Sequence, residues 1–414
     1  MASKFQAPRG TFDVLPAAGR ARARLQAIAT GIFERAGYET IQTPTFEQTD
    51  LFERGVGKST DIVRKEMFTF EDKGGRSLTL RPEGTASVCR AYLEHGMQKL
   101  AQPVKLFYSG PFFRHERPQA GRYRQFHQLG AECIGTDSPL ADAEVIMLLA
   151  DLLGELGVPG VELRLGSLGS FEARRAYLED LKAHLHAHEG ELSKDVRERI
   201  DINPLRAFDS DDEGTRGVMA SAPTIVQRLE GEDAEHFAEV RALLDASGIA
   251  YVIDPTLVRG LDYYTRTIFS FVCDRLGAQS EIGGGGRYDG LIEQLGGAAT
   301  PAVGFAAGIE RILLALDEEV AGEGRDAFVA VAEPGQRQRA MALVAELRRA
   351  GVSIELDLAG RSFKSQLKHA NRIGARRVLI LEADGSAQLR DMESGEQRAV
   401  DPGNLVEEMT GGEA

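Results

Sequence analysis

The sequence has little that would place the protein in a membrane or in an oxidising compartment. No stretch approaches the roughly 18 consecutive apolar residues that a transmembrane helix requires. Residues 1–10 lack the apolar run of a signal peptide, so we expect a cytoplasmic protein without membrane association. The three cysteines, Cys89, Cys133 and Cys273, are far apart and never in CxxC spacing. This argues against disulfides and a zinc site, and it predicts reduced, buried cysteines.

The length and composition are those of a globular protein with more than one domain. The chain has 414 residues, of which 43% are hydrophobic and 27% charged, and this length exceeds what one hydrophobic core usually supports. Its formal net charge of -14 would repel nucleic acid at long range. A nucleic-acid partner must therefore meet a locally basic surface. Residues 361–377 carry six basic residues and no acid, which predicts such a patch.

The first 45 residues predict a helix followed by a strand. Apolar residues at helical spacing predict an amphipathic helix over residues 20–36, and Gly37 is a favourable left-handed cap. A strand-like run follows at residues 38–45. Its Pro44 excludes a central strand, because proline cannot donate to a sheet ladder. An edge strand and a subunit contact are the two interpretations.

The rest of the chain predicts an α+β protein in which an antiparallel sheet is flanked by helices. Short β-like runs between residues 78 and 132 favour that sheet, and strand signals return after a charged segment, residues 171–250, that predicts a mainly helical insertion. Beyond a plausible linker at residues 321–324, strands and helices alternate, as in a small α/β domain. We therefore expect one domain over residues 1–325 and a second over residues 326–414.

The most informative segment is a cationic loop near residue 114. Arg114 and Glu116 should point the same way in an antiparallel hairpin, because side chains alternate faces there. Four cations share this short segment with one acid: Arg114, Arg117, Arg122 and Arg124. Such a group suits a triphosphate or an RNA backbone. A solvated charged hairpin is the simpler alternative.

Two later segments combine glycine with charge. Arg259 lies in residues 257–265, which are followed by four consecutive glycines, Gly283–Gly286. Such a run is tolerated where another backbone or a ligand must approach closely. A helix is predicted after Gly304 and carries Arg311, which by itself would be interpreted as an exposed arginine on a core helix.

Together these segments resemble the motifs of the class II aminoacyl-tRNA synthetases, and of their histidine-specific members in particular. Residues 112–128 resemble motif 2 and residues 304–311 resemble motif 3. The first helix with its Pro44 strand resembles motif 1. Residues 81–85 and 257–264 are similar to two peptides more particular to the histidine enzymes. The resemblance covers nearly the whole chain in the family's order.

The resemblance implies a class II catalytic domain with a helical insertion and a C-terminal anticodon-binding domain. It implies activation of L-histidine with ATP and transfer to the 3′ end of tRNA(His). ATP would be a substrate that carries Mg²⁺, no metal held by the protein is expected, and motif 1 implies a homodimer. The alternative is an inactive relative serving as a regulatory subunit of histidine biosynthesis. Such proteins lack the C-terminal domain and have degraded the Arg259 peptide, whereas both are present here.

The resemblance also implies roles for individual residues. The catalytic pair flanking the α-phosphate would be Arg259 and Arg114. ATP would be bound by Arg114, Glu116, Phe126 and Arg311. Histidine would be bound by Glu83, Thr85, Gln128, Glu132, Arg259, Tyr263 and Tyr264, with Glu132 and Tyr264 on the imidazole. tRNA would be bound by Arg117, Arg122, Arg361, Lys364, Lys368 and Arg372.

Two histidines of the charged segment 171–250 have the spacing of a possible metal site. His184 and His188 share a helix face and have the i, i+4 spacing of two metal ligands. No third ligand is apparent in the sequence, so a solvated helix face is the preferred interpretation.

Overall fold

The computed structural model describes residues 5–57, 60–316 and 325–410. The chain divides into two compact units, Met1–Glu318 and Glu319–Ala414, and each is considered by itself. The predicted linker at residues 321–324 lies outside the described residues. Within the described residues, every helix is too short or too polar to cross a bilayer.

The first unit contains eleven strands among its described residues. In chain order they are β1 (Glu39–Thr40), β2 (Phe46–Gln48), β3 (Phe68–Glu71), β4 (Ser77–Leu80), β5 (Val104–Phe113), β6 (Gln125–Ile134), β7 (Val161–Ser167), β8 (Val252–Ile253), β9 (Thr265–Cys273), β10 (Glu281–Arg287) and β11 (Ala302–Gly308). Eight of them form one sheet in the order β1-β5-β6-β11-β10-β9-β7-β8, and β2-β4-β3 form a small second sheet. The five central strands and β7 pair antiparallel, which confirms the predicted sheet.

Ten α-helices accompany these strands in the described part of this unit. They are α1 (Pro16–Arg35), α2 (Thr49–Gly55), α3 (Thr85–Glu94), α4 (Pro139–Glu155), α5 (Phe171–Ala187), α6 (Lys194–Arg197), α7 (Glu213–Met219), α8 (Gly231–Ala246), α9 (Leu291–Gln294) and α10 (Ile309–Leu316). Apolar residues of α1, α4, α8 and α10 join Phe107, Phe269 and Phe305 of the sheet in the largest core. Helices therefore cover one face of the large sheet.

The segment predicted as a helical insertion contains α5 to α8, with a small core of its own. Tyr177, Leu181 and Leu185 of α5 pack there with residues from α6 and α7. Helix α8 differs, because Phe237 and Val240 pack in the main core. The compact part of the insertion is therefore formed by α5 to α7.

The start of the chain agrees with its pattern, except at Pro44. Helix α1 ends before Gly37, whose φ of +79° is the expected left-handed conformation. Strand β1 lies at the edge of the sheet and pairs in parallel with β5. Pro44 lies outside it, between β1 and β2. Cys89, Cys133 and Cys273 are free and buried, as predicted.

The second unit has the predicted α/β alternation, followed by two further strands and a helix at its C-terminal end. Its elements are β12 (Ala327–Val331), α11 (Arg337–Arg349), β13 (Ile354–Leu356), α12 (Phe363–Arg372), β14 (Arg377–Leu381), β15 (Ala387–Asp391), β16 (Gln397–Val400) and α13 (Leu405–Thr410). The strand order is β13-β12-β14-β15-β16, with parallel pairing around β12. Strands β15 and β16 were not predicted, because much of their surface is exposed and the apolar signal is weak.

Candidate active site

A cavity of about 480 Å³ lies on the face of the large sheet. Eleven predicted site residues line it: Glu83, Thr85, Arg114, Glu116, Arg122, Phe126, Gln128, Arg259, Tyr263, Tyr264 and Arg311. They come from the start of α3, the loop after β5, β6, the segment before β9, and α10. Glu132, by contrast, lies behind the cavity wall. Arg117 is exposed outside the cavity.

The glycine run forms strand β10 in the middle of the sheet. A Cβ on Gly284 would lie 2.5 Å from the Phe269 carbonyl oxygen and 2.8 Å from Nη1 of Arg259. The backbone of β9 and the side chain of Arg259 therefore occupy the space that a side chain at position 284 would need. This confirms the prediction that the glycines permit close approach.

Arg114 and Glu116 lie in the loop between β5 and β6, residues 114–124, which we name the motif 2 loop. The prediction that they occupy a strand was wrong, because β5 ends at Phe113. The two side chains still lie close together, with Nη1 of Arg114 4.0 Å from Glu116. Nε of Arg114 donates to the Pro82 carbonyl at 2.9 Å, and its guanidinium lies 5.4 Å from the Phe126 ring centre. Glu116 also pairs with Arg122 at 2.5 Å.

Arg259 is fixed by an acid and a ring before any ligand binds. Its Nη1 donates to Glu281 at 2.6 Å, and its guanidinium lies 5.8 Å from the Tyr264 ring centre. Burial lowers the pKa of Arg259, but the charge of Glu281 outweighs it and the pKa is raised. The Nε–H is buried and has no hydrogen-bond partner among the described residues. The group is therefore a permanent cation in the cavity wall.

Arg311 joins three parts of the cavity wall. Its Nε donates to the Gly121 carbonyl at 3.0 Å and its Nη1 to the Glu281 carbonyl at 2.7 Å. The interpretation of Arg311 as an exposed residue was wrong, because the residue is half-buried. Its guanidinium donates to carbonyls from two other segments of the chain. Burial lowers its pKa from the ordinary arginine value.

Glu83 organises the start of α3. Its carboxylate accepts the backbone N–H of Thr85 at 2.7 Å and of Ala86 at 2.9 Å. A carboxylate at this end of a helix satisfies free N–H groups and favours the helix dipole. Burial raises the pKa of Glu83, against these two hydrogen bonds. The arrangement places an acid and a hydroxyl side by side in the cavity wall.

Glu132 is fully buried behind the cavity wall, where it is hydrogen-bonded to residues that line the cavity. Its carboxylate accepts the hydroxyls of Thr85 at 2.8 Å, Tyr108 at 3.2 Å and Tyr288 at 2.6 Å. Thr85 and Tyr108 themselves line the cavity. Glu132 therefore lies in strand β6 out of contact with solvent.

A model described as histidyl-tRNA synthetase matches residues 10–312, and one described as anticodon binding domain matches residues 326–411. A histidine--tRNA ligase of Halothermothrix orenii is 48% identical over 412 residues, which cover 98% of each chain. The chain belongs to the histidyl-tRNA synthetase family.

Solved structures agree with this membership. The apo histidyl-tRNA synthetase of S. aureus matches with a TM-score of 0.82 and 36% identity, covering 98% of this chain and 99% of that one. A Bacillus halodurans structure described as an ATP phosphoribosyltransferase regulatory subunit/histidyl-tRNA synthetase matches less well, at 25% identity and a TM-score of 0.67. The histidyl-tRNA synthetase family thus accounts for the catalytic sheet and for the second unit.

Two acids of the cavity wall lie in the segments singled out in the sequence, which gave them no role. Glu310 accepts the backbone N–H of His127 at 2.9 Å and lies 2.9 Å from its Nδ1. Glu281 pairs with Arg259. Glu310 directly precedes Arg311 in the sequence, and Glu281 lies just before the run of four glycines. That adjacency was the only available signal, because their partners are distant in the chain.

The predicted RNA-binding cations of the second unit do not all lie on one helix. Lys364, Lys368 and Arg372 are exposed on α12, while Gln366 and Ala370 of that helix are buried. Arg361 precedes the helix and pairs with Asp357 at 2.5 Å. The helix therefore presents three of the four cations along one side.

The pair His184 and His188 is close, with ring centres 4.7 Å apart. His184 Nε2 lies 3.0 Å from the Val218 carbonyl oxygen, and His188 Nδ1 lies 2.9 Å from the His184 carbonyl oxygen. Groups of three ligating side chains suited to a metal do not occur in the described part of the chain.

We predict that Glu132 makes stability depend on pH. Burial raises the pKa of its carboxyl from 4.5 to about 8, although hydrogen bonds from Tyr288 and Thr85 lower it. Between these two pKa values the native state therefore keeps a proton that the unfolded chain has released. While that proton is present, the carboxyl itself donates to one of its three hydroxyl partners. Its stabilising contribution is complete below the unfolded pKa and is lost as the pH rises to about 8.

Glu132→Gln, which stays neutral, isolates this effect. Thermal unfolding of both proteins should show the melting temperature of the variant rising relative to wild type from about pH 5 to about pH 8, and no further change above. A difference in melting temperature that is constant over this range would contradict the assignment.

Proposed function

We propose that the chain activates L-histidine with ATP to histidyl-adenylate and transfers the histidyl group to the 3′ end of tRNA(His). The observation that carries this proposal is the convergence of Arg114, Arg259 and Arg311 on one cavity. Formation of the adenylate needs no enzyme nucleophile, because the histidine carboxylate itself attacks the α-phosphate and pyrophosphate leaves. It needs positioned cations where charge develops, and these arginines are held before the substrates bind.

ATP would be held by residues of the motif 2 loop, β6, the segment before β9 and α10. Arg114 and Arg259 flank the α-phosphate, and Glu116 and Phe126 hold the adenine. Arg311 stacks over the adenine or grips the outer phosphates. Mg²⁺ would be carried on the triphosphate, and the carboxylate oxygens of Glu281 in the cavity wall suit it.

Histidine would be selected by buried polar groups, because apolar contacts discriminate side chains by only about 1 to 3 kcal/mol. Glu83 and Thr85 bind the α-amino group, and Gln128 and Arg259 the carboxylate end. The Oε1 atom of Gln128 is buried without a hydrogen-bond partner among the described residues, which supports a ligand contact.

The imidazole would lie between Tyr264 and Glu132, against Tyr263. In the structure the carboxyl of Glu132 is occupied by three hydroxyls, of which those of Thr85 and Tyr108 face the cavity. We propose that histidine competes for one of these two positions, so that an imidazole N–H reaches the carboxyl.

Amino-acid-dependent pyrophosphate exchange tests the activity. Purified protein assayed with each of the twenty amino acids should exchange pyrophosphate into ATP with histidine alone. The regulatory-subunit alternative predicts histidine binding without exchange. It is disfavoured because Arg259 is built into the cavity and an anticodon-binding domain is present.

The domain assignment follows the same proposal. Residues 1–325 would form the catalytic domain, with the helical insertion at about residues 171–250, and residues 326–414 the anticodon-binding domain. Arg117 and Arg122 of the motif 2 loop would meet the acceptor end of the RNA. Arg361 and the three cations of α12 would meet its other end.

Neutralising the α12 cations should impair RNA use only. The triple variant Lys364→Gln, Lys368→Gln, Arg372→Gln should raise the Michaelis constant for tRNA and flatten its salt dependence, because phosphate contacts release counterions. The constants for histidine and ATP should stay within about twofold, since these exposed contacts lie outside the active-site cavity. Unaltered aminoacylation across a salt series would move the RNA-binding surface elsewhere.

A homodimer is also proposed. The small sheet that follows Pro44 exposes Phe46 at 48% and Phe70 at 43%, with ring centres 6.1 Å apart. The first helix and the Pro44 strand carry the resemblance to motif 1, and this exposed aromatic pair beside Pro44 would lie in the subunit contact. Sedimentation should give twice the 45.0 kDa chain mass, and Phe46→Glu with Phe70→Glu should shift it to monomer. A fully active 45.0 kDa species would refute the dimer.

A cytoplasmic location is proposed because the tRNA and ATP substrates are found there.

A further inference from the structure

A second cavity, which we name the side chamber, adjoins the active-site cavity. It has a volume of about 290 Å³ and lies where the helical insertion meets the segment of residues 60–66. Arg114, Arg259 and Arg206 are among the residues that line both cavities. The proposed α-phosphate arginines therefore face both spaces.

The side chamber is cationic. Its wall contains three carboxylates, from Asp61, Glu66 and Glu116, and six arginines: Arg64, Arg114, Arg122, Arg199, Arg206 and Arg259. The chain as a whole carries a formal charge of -14, so this excess of positive charge is local. A half-enclosed group of guanidinium groups attracts anions and matches phosphate oxygens in pairs.

Two of these arginines, Arg199 and Arg206, come from the helical insertion. Both contact Asp61, which lies in the segment of residues 60–66. Nη2 of Arg206 lies 2.6 Å from Asp61, and Nη1 of Arg199 lies 3.6 Å from it. Lys65 contacts the same carboxylate at 3.3 Å. Nη2 of Arg199 also lies 3.2 Å from Asp195, so Asp61 and Asp195 together meet three cations. The Arg199 and Arg206 side chains keep 21% and 37% of their surface exposed.

We propose that the side chamber binds phosphate groups of a ligand that extends from the active-site cavity, and that Arg199 and Arg206 hold them. The ligand is a phosphate anion from one of two sources: the pyrophosphate released in activation, or phosphodiesters at the 3′ end of the RNA. The inference rests on the proposed function, which supplies both. It gives the insertion a role in the reaction itself.

Kinetics of full-length variants test the inference and separate the two sources. Arg199→Gln and Arg206→Gln should each raise one Michaelis constant about tenfold, the usual weight of a charge-assisted hydrogen bond. A rise for pyrophosphate in histidine-dependent exchange identifies pyrophosphate, and a rise for tRNA in aminoacylation identifies the RNA. The constant for histidine should not change. Arg197→Gln, on an exposed residue of α6 outside both cavities, is the matched control.

Asp61→Asn distinguishes binding from a structural ion pair. If Arg199 and Arg206 bind phosphate, removing their competing carboxylate should lower the same Michaelis constant that the arginine variants raise. If they only fasten the insertion through Asp61, the variant should reproduce the arginine defects.

The inference is overturned by that second result, or by arginine variants with unchanged constants for both anions. Failure of the proposed function would look different, since the wild-type protein would then show no histidine-dependent exchange.

Discussion

Arg259→Ala should lower the rate of histidine-dependent pyrophosphate exchange by about 100- to 1,000-fold, the usual effect of removing one preorganised electrostatic donor. The guanidinium is held by Glu281 at 2.6 Å and lies over Tyr264, so it needs no reorganisation when charge develops on the α-phosphate. The loss should therefore appear mainly in kcat. Steady-state exchange at saturating ATP and histidine measures it.

The variant should remain folded, which keeps the result interpretable. The Glu281 side chain is 42% exposed, so it can be solvated after its partner is removed. Circular dichroism and the melting temperature provide the check. Arg275→Ala, on an exposed arginine outside both cavities, is the matched control and should exchange normally. Near-normal exchange by folded Arg259→Ala would remove Arg259 from the mechanism.

Gly285→Ala should destabilise the protein by about 3 kcal/mol or more, the upper range for overpacking a core. The new Cβ would stand 2.0 Å from the Gly304 carbonyl oxygen and 2.6 Å from the Phe305 Cα. Both are backbone atoms of β11, so no side chain can rotate away. The strands could separate only by breaking the β10–β11 pairing, which runs from Gly283 to Arg287.

Chemical denaturation of the wild type and the variant measures this loss, as a lower midpoint at an unchanged slope. Gly154→Ala is the matched control, because its Cβ would meet nothing within 4 Å and it lies in α4. Alanine is favoured over glycine in a helix by up to about 1 kcal/mol, so the control should be neutral or slightly stabilised. Equal midpoints for both variants would contradict the close-packing account.

Local patterns were enough to predict most elements of both units. Helix α1, its end at Gly37 and the alternation from β12 to β14 follow from apolar spacing and glycine. The same reasoning failed where the signal is weak or where it depends on other segments. Strands β15 and β16 were missed because their exposed surfaces are polar, and Arg311 was misinterpreted because its partners lie in a distant loop and strand.

The sequence by itself determined the family, through motifs that occur in order along the chain, and with it eleven of the residues that line the active-site cavity. Only the tertiary structure decided that Glu132 lies behind the wall with three hydroxyl partners. It also decided that Arg199 and Arg206 of the insertion reach Asp61 beside that cavity. Burial and ion pairing depend on which distant segments converge. Residue spacing describes only one segment at a time, so neither could be obtained from the pattern.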